Sequence, residues 1–204
     1  MWIGKDGQDL LRQTLARAVA AVSPRASYST PVFDIRPLHT FSPVADSGVP
    51  FLWVVRPGLV VDDHQFLPEG FAAATRGRGM VVAWAPQEEV LRHRAVAGFW
   101  THNGWNSTTE SVCAGVPMLC RPYFGDQMGN ARYVEHVWSV GFEVGGELHR
   151  GKVKAAILRL MRDKDGAEMR ERAGELKKAA AECTGKAGSS CQAIDKLVTH
   201  IMSL

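Results

Sequence analysis

GFWTHNGWNSTTES, residues 98–111, joins a short apolar run to a segment that begins with small polar side chains. The apolar run ends at Trp100 or Thr101, a tight turn holds Asn103 and Gly104, and a helical segment follows. Asn, Ser and Thr are common at helix starts because their side chains bond the free backbone N–H groups there. The stretch therefore predicts a strand, a turn and a helix in succession.

The same alternation extends along the chain in both directions. Short continuous apolar runs occur at 51–55, 80–84, 95–100, 116–120 and 141–144. Helical segments are predicted between the later runs, at 105–114 and 126–137. Strands without polar alternation, separated by helices, indicate a parallel sheet that is covered on both faces. The predicted fold class is α/β, with a Rossmann-like parallel sheet.

Helical patterns dominate the two ends of the chain. The first 30 residues predict one helix that is stopped by Pro24, and a short extended piece follows at Pro31–Ile35. After residue 150 the apolar residues repeat at helical spacing to the end of the chain. The last of these helices follows a loop at Gly185–Ser190, and Ser189 or Ser190 is its predicted cap.

Composition excludes several classes of protein. A chain of 204 residues with 46% hydrophobic and 22% charged side chains is typical of a globular protein of one domain or two small ones. Its apolar stretches are far shorter than the roughly 20 residues that span a membrane. The net charge of +3 comes from Lys and Arg interleaved with Asp and Glu, which favours a solvated helix surface over a nucleic-acid-binding face.

The four cysteines contain no CxxC pair and have no His at zinc-ligand spacing. Free thiols in a reducing compartment are the expected state, and a cytoplasmic location is predicted. The segment Gly146–Lys152 matches the first positions of a phosphate-binding P-loop, but Val153 replaces the hydroxyl residue that would bind magnesium. A turn between a strand and a helix is the favoured interpretation of that segment.

A candidate site lies where the first-quoted stretch passes from strand to helix. Ligands of open parallel sheets bind beyond the carboxyl ends of the strands. Small polar residues from Asn106 to Thr109 begin the helix there, which leaves backbone N–H groups for an anion such as phosphate. Glu110 follows Asn106 by one helical turn, and its carboxylate suits a sugar diol. These residues could equally be a simple helix cap with a solvated glutamate, and the cluster alone leaves both interpretations open.

A longer segment decides between them. Trp84–Gln127, WAPQEEVLRHRAVAGFWTHNGWNSTTESVCAGVPMLCRPYFGDQ, resembles the 44-residue signature box of plant secondary-product UDP-glycosyltransferases without a gap. The resemblance implies the C-terminal donor domain of a GT-B fold, with UDP-glucose or another UDP-sugar as donor substrate and with no cofactor and no metal. The sequence leans toward the branch that contains benzoxazinoid and flavonoid glucosyltransferases.

The resemblance also implies roles for residues that would bind the nucleoside. Trp84 would stack on uracil, and the backbone of Ala85 would pair with the edge of that base. Gln87 and Glu110 would hold the ribose hydroxyls.

The remaining roles concern the diphosphate and the sugar. By resemblance, the diphosphate would be bound by His102, Asn106 and Ser107, together with the backbone near Gly104. The sugar would be contacted by Trp105, Asp126 and Gln127, and a final Gln in the box is typical of glucose specificity.

The resemblance further implies that much of the family's architecture lies outside this sequence. Residues 1–44 resemble the end of the acceptor domain and the linker, and residues 45–204 resemble the UDP-sugar donor-binding domain. The family's catalytic His and Asp lie in the acceptor half, so no catalytic residue is assigned in this chain. The implied reaction is glucosyl transfer to a hydroxyl of a small lipophilic acceptor, in which this chain is expected to be impaired alone. The alternative is a non-catalytic UDP-sugar-binding or partner-binding variant.

One strand of the donor domain is also missing. His39–Pro43 is followed almost directly by Ala45–Gly48, where the family has several dozen residues that include the first donor-domain strand. In a sheet of order 3-2-1-4-5-6 this strand is central. Unpaired backbone groups at its place would cost about 1–3 kcal/mol each. The sheet is therefore expected to be incomplete, or to be patched by Pro31–Ile35.

Overall fold

The computed structural model describes residues 2–3, 41–54 and 69–204. Within these ranges a six-stranded sheet is covered by helices. The strands are β1 Trp2–Ile3, β2 Phe51–Val54, β3 Gly79–Val82, β4 Val96–Thr101, β5 Met118–Cys120 and β6 Gly141–Glu143. The helices are α1 Phe41–Asp46, α2 Phe71–Ala74, α3 Gln87–Arg92, α4 Trp105–Ala114, α5 Asp126–Arg132 with a π-helical continuation Tyr133–Val137, α6 Arg150–Arg162, α7 Lys164–Thr184 and α8 Ser189–Met202.

The sheet has the order β3-β2-β1-β4-β5-β6. β2 pairs with β3 in parallel, and β4, β5 and β6 form a second parallel set. β1 is antiparallel to both β2 and β4, so the other five strands all run in one direction. The α/β class and the parallel sheet predicted from the apolar runs are confirmed.

The central place in the sheet is held by Trp2–Ile3. Trp2 lies opposite Phe51 on one side and Gly98 on the other, and Ile3 lies opposite Val96. The sheet is therefore not left open at this place. The place predicted for Pro31–Ile35 is occupied by Trp2–Ile3, and Pro31–Ile35 itself lies outside the described residues. An antiparallel pair needs only backbone N–H and C=O groups, so two residues without a strand-like pattern can supply it.

Side chains of alternate strand residues pack into two separate hydrophobic cores, one on each face of the sheet. Phe99 and Met118 belong to the core beneath α3, α4 and α5, whereas Trp100 and Leu119 belong to the core beneath α1 and α6. Leu119 is fully buried. Because both faces are covered, the strands read as continuous apolar runs.

Several predicted boundaries shift in the structure. The predicted helix 105–114 matches α4, but the predicted helix 126–137 changes from α to π geometry at Tyr133. α8 begins at Ser189 with Gly188 as N-cap, so the prediction that Ser189 or Ser190 caps it is wrong. Glycine is tolerated at an N-cap and needs no side-chain bond there. The helix predicted in the first 30 residues lies outside the described ranges.

Two further features concern the edges of the domain. α1 runs across the predicted boundary between residues 44 and 45, and it is tied to α6 by an ion pair of 2.6 Å between Asp46 and Arg150. The segment that resembles part of a P-loop is a turn from β6 into α6, closed by a hydrogen bond from Lys152 Nζ to the carbonyl of Gly145. None of the helices in the described ranges is long and apolar enough to cross a membrane.

Candidate functional site

Three loops meet at the carboxyl edge of the sheet. They follow β3, β4 and β5, and each leads directly into a helix, respectively α3, α4 and α5. Because these three strands run in the same direction, their carboxyl ends lie on one edge, as the sequence predicted. The three loops and the first turns of the following helices contain every residue predicted for the site except Glu110, which lies in the second turn of α4.

The turn after β4 is shaped by hydrogen bonding and by the lack of a side chain. Thr101 Oγ1 accepts a hydrogen bond of 3.0 Å from the backbone N–H of Asn103, whose φ of 62° lies in the left-handed region that asparagine tolerates. A Cβ on Gly104 would lie 2.5 Å from Nε2 of His102. Glycine at 104 therefore allows the imidazole of His102 to lie directly against the backbone at the start of α4.

His102 is half-buried, and its Nδ1 has no hydrogen-bond partner within the described part of the chain. Burial lowers the pKa of His102, and the negative charge of Asp126 opposes this only in part. The imidazole is therefore neutral at pH 7 in the free protein, with one N–H to donate to an anionic oxygen.

The first turn of α4 offers backbone donors. The intrahelical ladder begins with a bond of 3.0 Å from the N–H of Thr108 to the carbonyl of Gly104. The N–H of Trp105 donates to Asp126 Oδ2 over 3.2 Å, which places a carboxylate at the positive end of the helix. The N–H groups of Asn106 and Ser107 precede the ladder and are the donors of this turn that remain for an anion.

The predicted ribose-binding residues are in direct contact. Gln87 Nε2, on α3, donates to Glu110 Oε2 over 2.7 Å and to Ser107 Oγ over 3.2 Å, both on α4. This use of both amide protons leaves Gln87 Oε1 as an acceptor. Trp84 is 36% exposed on the loop after β3, whereas Ala85 beside it is buried. We call this group of residues (Trp84, Ala85, Gln87, Ser107 and Glu110) the nucleoside end of the site.

Asp126 and Gln127 lie at the start of α5, close to the N-terminus of α4. Gln127 is only 6% exposed, and its Oε1 accepts hydrogen bonds from the backbone N–H groups of Tyr123 and Phe124, over 2.9 and 3.2 Å. Those two bonds fix the amide, with Nε2 as the group left to donate. Trp105, which is 56% exposed, completes what we call the sugar end (Trp105, Asp126 and Gln127).

One residue of the site was not predicted. Asn130, on α5, donates from Nδ2 to Asp126 Oδ2 over 2.8 Å and to the carbonyl of Asn103 over 2.9 Å. It lies three residues beyond the signature box, so the resemblance gave no reason to select it. Its spacing of four residues from Asp126 on a helix was the signal that could have found it.

Comparison with known proteins identifies the family of this chain. Residues 36–174 match the family described as UDP-glucoronosyl and UDP-glucosyl transferase. The chain is 50% identical over 172 residues to UDP-glycosyltransferase 76D1 of Arabidopsis thaliana, in a match that covers 83% of this chain and 38% of the relative. It is 59% identical over 144 residues to DIMBOA UDP-glucosyltransferase BX9 of Zea mays, covering 70% of this chain and 31% of the relative.

Solved structures give the same result. A UDP-glucose: anthocyanidin 3-O-glucosyltransferase in complex with UDP is 31% identical, with a TM-score of 0.76, over 99% of this chain and 44% of the other. The Phytolacca americana protein UGT2, complexed with UDP-2fluoro-glucose and pterostilbene, is 32% identical, with a TM-score of 0.73, over 78% of this chain and 37% of the other.

The fold and these matches define a domain of the GT-B type found in plant UDP-glycosyltransferases. The chain belongs to the family of UDP-glycosyltransferases, with relatives in plants that include glucosyltransferases of the benzoxazinoid branch. It spans between 31 and 44% of the length of the four relatives compared above.

Proposed function

We propose that this chain is the donor-binding part of a UDP-glycosyltransferase that transfers glucose from UDP-glucose to a hydroxyl of a small lipophilic acceptor. The observation that carries the proposal is the contact of Gln87 with Glu110 and Ser107, beside the free N–H groups at the start of α4. Groups suited to a diol thereby lie one helical turn from groups suited to a diphosphate. A nucleoside diphosphate carries both, since its ribose diol and its diphosphate are neighbours in one molecule.

The nucleoside end would bind uridine. The exposed ring of Trp84 offers a face on which a uracil ring can stack. The backbone of Ala85 would pair with the edge of the base. Glu110 and Gln87 Oε1 would accept hydrogen bonds from the ribose hydroxyls, and a bond to a carboxylate is stronger than a neutral one.

The diphosphate would lie at the N-terminus of α4. The N–H groups of Asn106 and Ser107 and the helix dipole favour an anion there. His102 would donate its single imidazole proton, and the neutral state produced by burial avoids the cost of an unpaired buried charge before the ligand arrives. The absence of a side chain at Gly104 allows this imidazole to remain close to the helix start.

The sugar end would select glucose. Asp126 offers an acceptor, Gln127 offers the Nε2 donor, and Trp105 offers an apolar face to the sugar ring. Because two backbone N–H groups fix the orientation of the Gln127 amide, the sugar meets a donor in a defined place.

We assign no catalytic residue within this chain. General-base activation of an acceptor hydroxyl contributes about 10²–10⁴-fold to such a reaction, and the proposal assigns the base to the acceptor half of the longer family members. The chain alone should therefore bind the donor without transferring its sugar. We include in the proposal a cytoplasmic location, for which the four free cysteines are the support, and no interaction with nucleic acid.

Isothermal titration calorimetry with UDP, UDP-glucose and ADP, combined with a glucosyl-transfer assay on a lipophilic phenol, tests the proposal. Binding of both uridine ligands, weaker binding of ADP and no transfer would support it. Transfer by this chain alone would contradict the assignment of the base to the other half. No binding of UDP would contradict the donor-site assignment itself.

A non-catalytic partner-binding role is the second candidate, and the last helix favours it. The apolar residues of α8 are more than half exposed, and no residue of that helix is buried within the described structure. The large ones are Ile194, Leu197, Val198, Ile201 and Met202. A protein that carries the family's acceptor half would be the partner. Light scattering of a mixture with an isolated acceptor half from a family member would detect the complex, and separate elution of the two would contradict this role.

A further inference from the structure

Asn130 joins two parts of the site that come from different strands of the sheet. One bond from its Nδ2 reaches Asp126 Oδ2, at 2.8 Å on its own helix, and the other reaches the carbonyl of Asn103, at 2.9 Å in the turn after β4. Asn103 lies between His102 and Gly104, in the turn assigned to the diphosphate. Asp126 is the carboxylate assigned to the sugar. A single amide therefore connects the diphosphate turn to the sugar carboxylate.

The geometry at Asp126 makes this connection specific. Its Oδ2 accepts from two donors, Asn130 Nδ2 and the N–H of Trp105 at 3.2 Å, whereas Oδ1 is the oxygen left for a ligand. An exposed aspartate has free rotation about its side-chain torsions unless its oxygens are held. Because two donors hold Oδ2 in place, the direction of Oδ1 is also fixed. Without Asn130 the longer bond to Trp105 would hold the carboxylate alone.

We propose that Asn130 is a positioning residue that orients Asp126 toward the transferred sugar. This inference rests on the proposed function, because it assumes that the sugar of the donor contacts Asp126. Asn130 makes no contact with the ligand in this proposal. Its removal changes the contribution of the sugar to binding most, because the diphosphate turn keeps the bond from the N–H of Asn103 to Thr101 Oγ1.

The test compares UDP with UDP-glucose by calorimetry on the 204-residue chain. In Asn130→Ala the dissociation constant for UDP-glucose should rise about tenfold, as expected when a hydrogen-bonded charge loses its orientation, and that for UDP should change by less than about twofold. Asn130→Leu, which keeps about the same size and removes the donors without adding a charge, should give the same split. The matched control is Gln192→Ala in α8. It removes another side-chain amide that donates to a backbone carbonyl, in this case the carbonyl of Ala187. It should leave both constants unchanged.

A double-mutant cycle shows whether Asn130 acts through Asp126. In an Asp126→Ala background, Asn130→Ala should cause no further loss of affinity for UDP-glucose. An equal further loss would overturn the inference, and so would an equal loss of affinity for UDP and UDP-glucose in the single variant. If the unmodified chain binds UDP and Asn130→Ala has no effect on the affinity for UDP-glucose, this inference is overturned and the proposed function is not. Failure of the unmodified chain to bind UDP would overturn the proposed function and this inference with it.

Discussion

The two ends of the site are built by different kinds of hydrogen bond. At the nucleoside end, Gln87 bonds Glu110 and Ser107, so side chains of two packed helices hold one another. At the sugar end, Asp126 and Gln127 bond backbone N–H groups of the neighbouring turn and loop. The side chains of the sugar end are thus part of the local backbone structure. A substitution there alters both the ligand contacts and the backbone of the loop, whereas one at the nucleoside end alters the ligand contacts and the side-chain bonds between α3 and α4 but no backbone bond.

The largest effect is expected at Gln127. Gln127→Ala leaves the N–H groups of Tyr123 and Phe124 without this acceptor; a fully buried group would cost about 1–3 kcal/mol, and these two partly buried groups together should cost about as much as one such group. The free energy of unfolding, measured with urea, should fall by about 1–3 kcal/mol, and UDP-glucose should bind no better than UDP. Gln127→Glu keeps the acceptor and removes the Nε2 donor, so it should also lose the preference for UDP-glucose but keep more of the stability. Equal stability of the two variants would contradict the claim that Gln127 Oε1 supports the backbone of the loop at the sugar end.

A smaller effect that is limited to binding is expected at Glu110. Glu110→Gln keeps the shape and removes the charge that accepts from the ribose, so the dissociation constants for UDP and UDP-glucose should both rise about tenfold. The free energy of unfolding should change by less than about 0.5 kcal/mol, as for most surface changes. Glu89→Gln, an exposed carboxylate on α3, is the control and should bind both ligands normally. A change in the ratio of the two constants in Glu110→Gln would contradict its place at the nucleoside end.

Gly104 provides a test at the junction of the two ends. Gly104→Ala adds a Cβ that would lie 2.5 Å from His102 Nε2, so the imidazole must move away from the start of α4. Calorimetry should show a loss of several-fold in affinity for UDP and for UDP-glucose, with little change in stability, because the tip of a side chain can yield. The control is Gly129→Ala in α5, where a Cβ meets no atom within 4 Å. That variant should be as stable as the unmodified chain or more stable, since alanine favours a helix. Normal UDP binding by Gly104→Ala would contradict the assignment of His102 to the diphosphate site.

The smallest effect concerns the dependence of stability on pH. Burial lowers the pKa of His102 from its ordinary value of 6.5, so the unfolded chain takes up a proton at a pH where the folded chain does not. This contribution to stability is present above pH 6.5 and is lost as the pH falls below that value. His102→Gln should therefore lose less stability than the unmodified chain between pH 7 and pH 5.5. Urea denaturation at several pH values measures this, and parallel curves for the two proteins would contradict the burial effect.

Much of the fold was predictable because burial on both faces leaves a simple signature. Runs such as 95–100 and 116–120 are continuously apolar; β5 lies within the second, and β4 covers the first from Val96 and ends one residue beyond it. The bounds of α4 were also predictable, since Gly104 and Gly115 flank it and small polar residues begin it. The π-helical turn at Tyr133–Val137 was not, because its apolar spacing resembles that of the α-helix before it.

The site was predictable as a set of residues and not as a set of bonds. The resemblance assigned Gln87 and Glu110 to the same ligand group, the ribose hydroxyls, and the structure shows these two side chains in contact. It gave no sign that Oε1 of Gln127 is used by the loop, because that depends on the backbone of residues 123 and 124 turning back toward α5. Asn130 was missed because its role follows from a contact with Asn103, which is remote in sequence.

The placement of Trp2–Ile3 between β2 and β4 has a consequence for the order of folding. The pairs β2–β3 and β4–β5 each join segments separated by only about 20–30 residues, so they can form early and independently. The strand that unites them must come from about a hundred residues away from Gly98, and closing so long a loop is entropically costly. The two halves of the sheet are therefore expected to form first as separate kinetic units. Their union through the antiparallel strand would then be the slow step, and it would bring the Trp84 loop, which follows β3, beside the loops after β4 and β5.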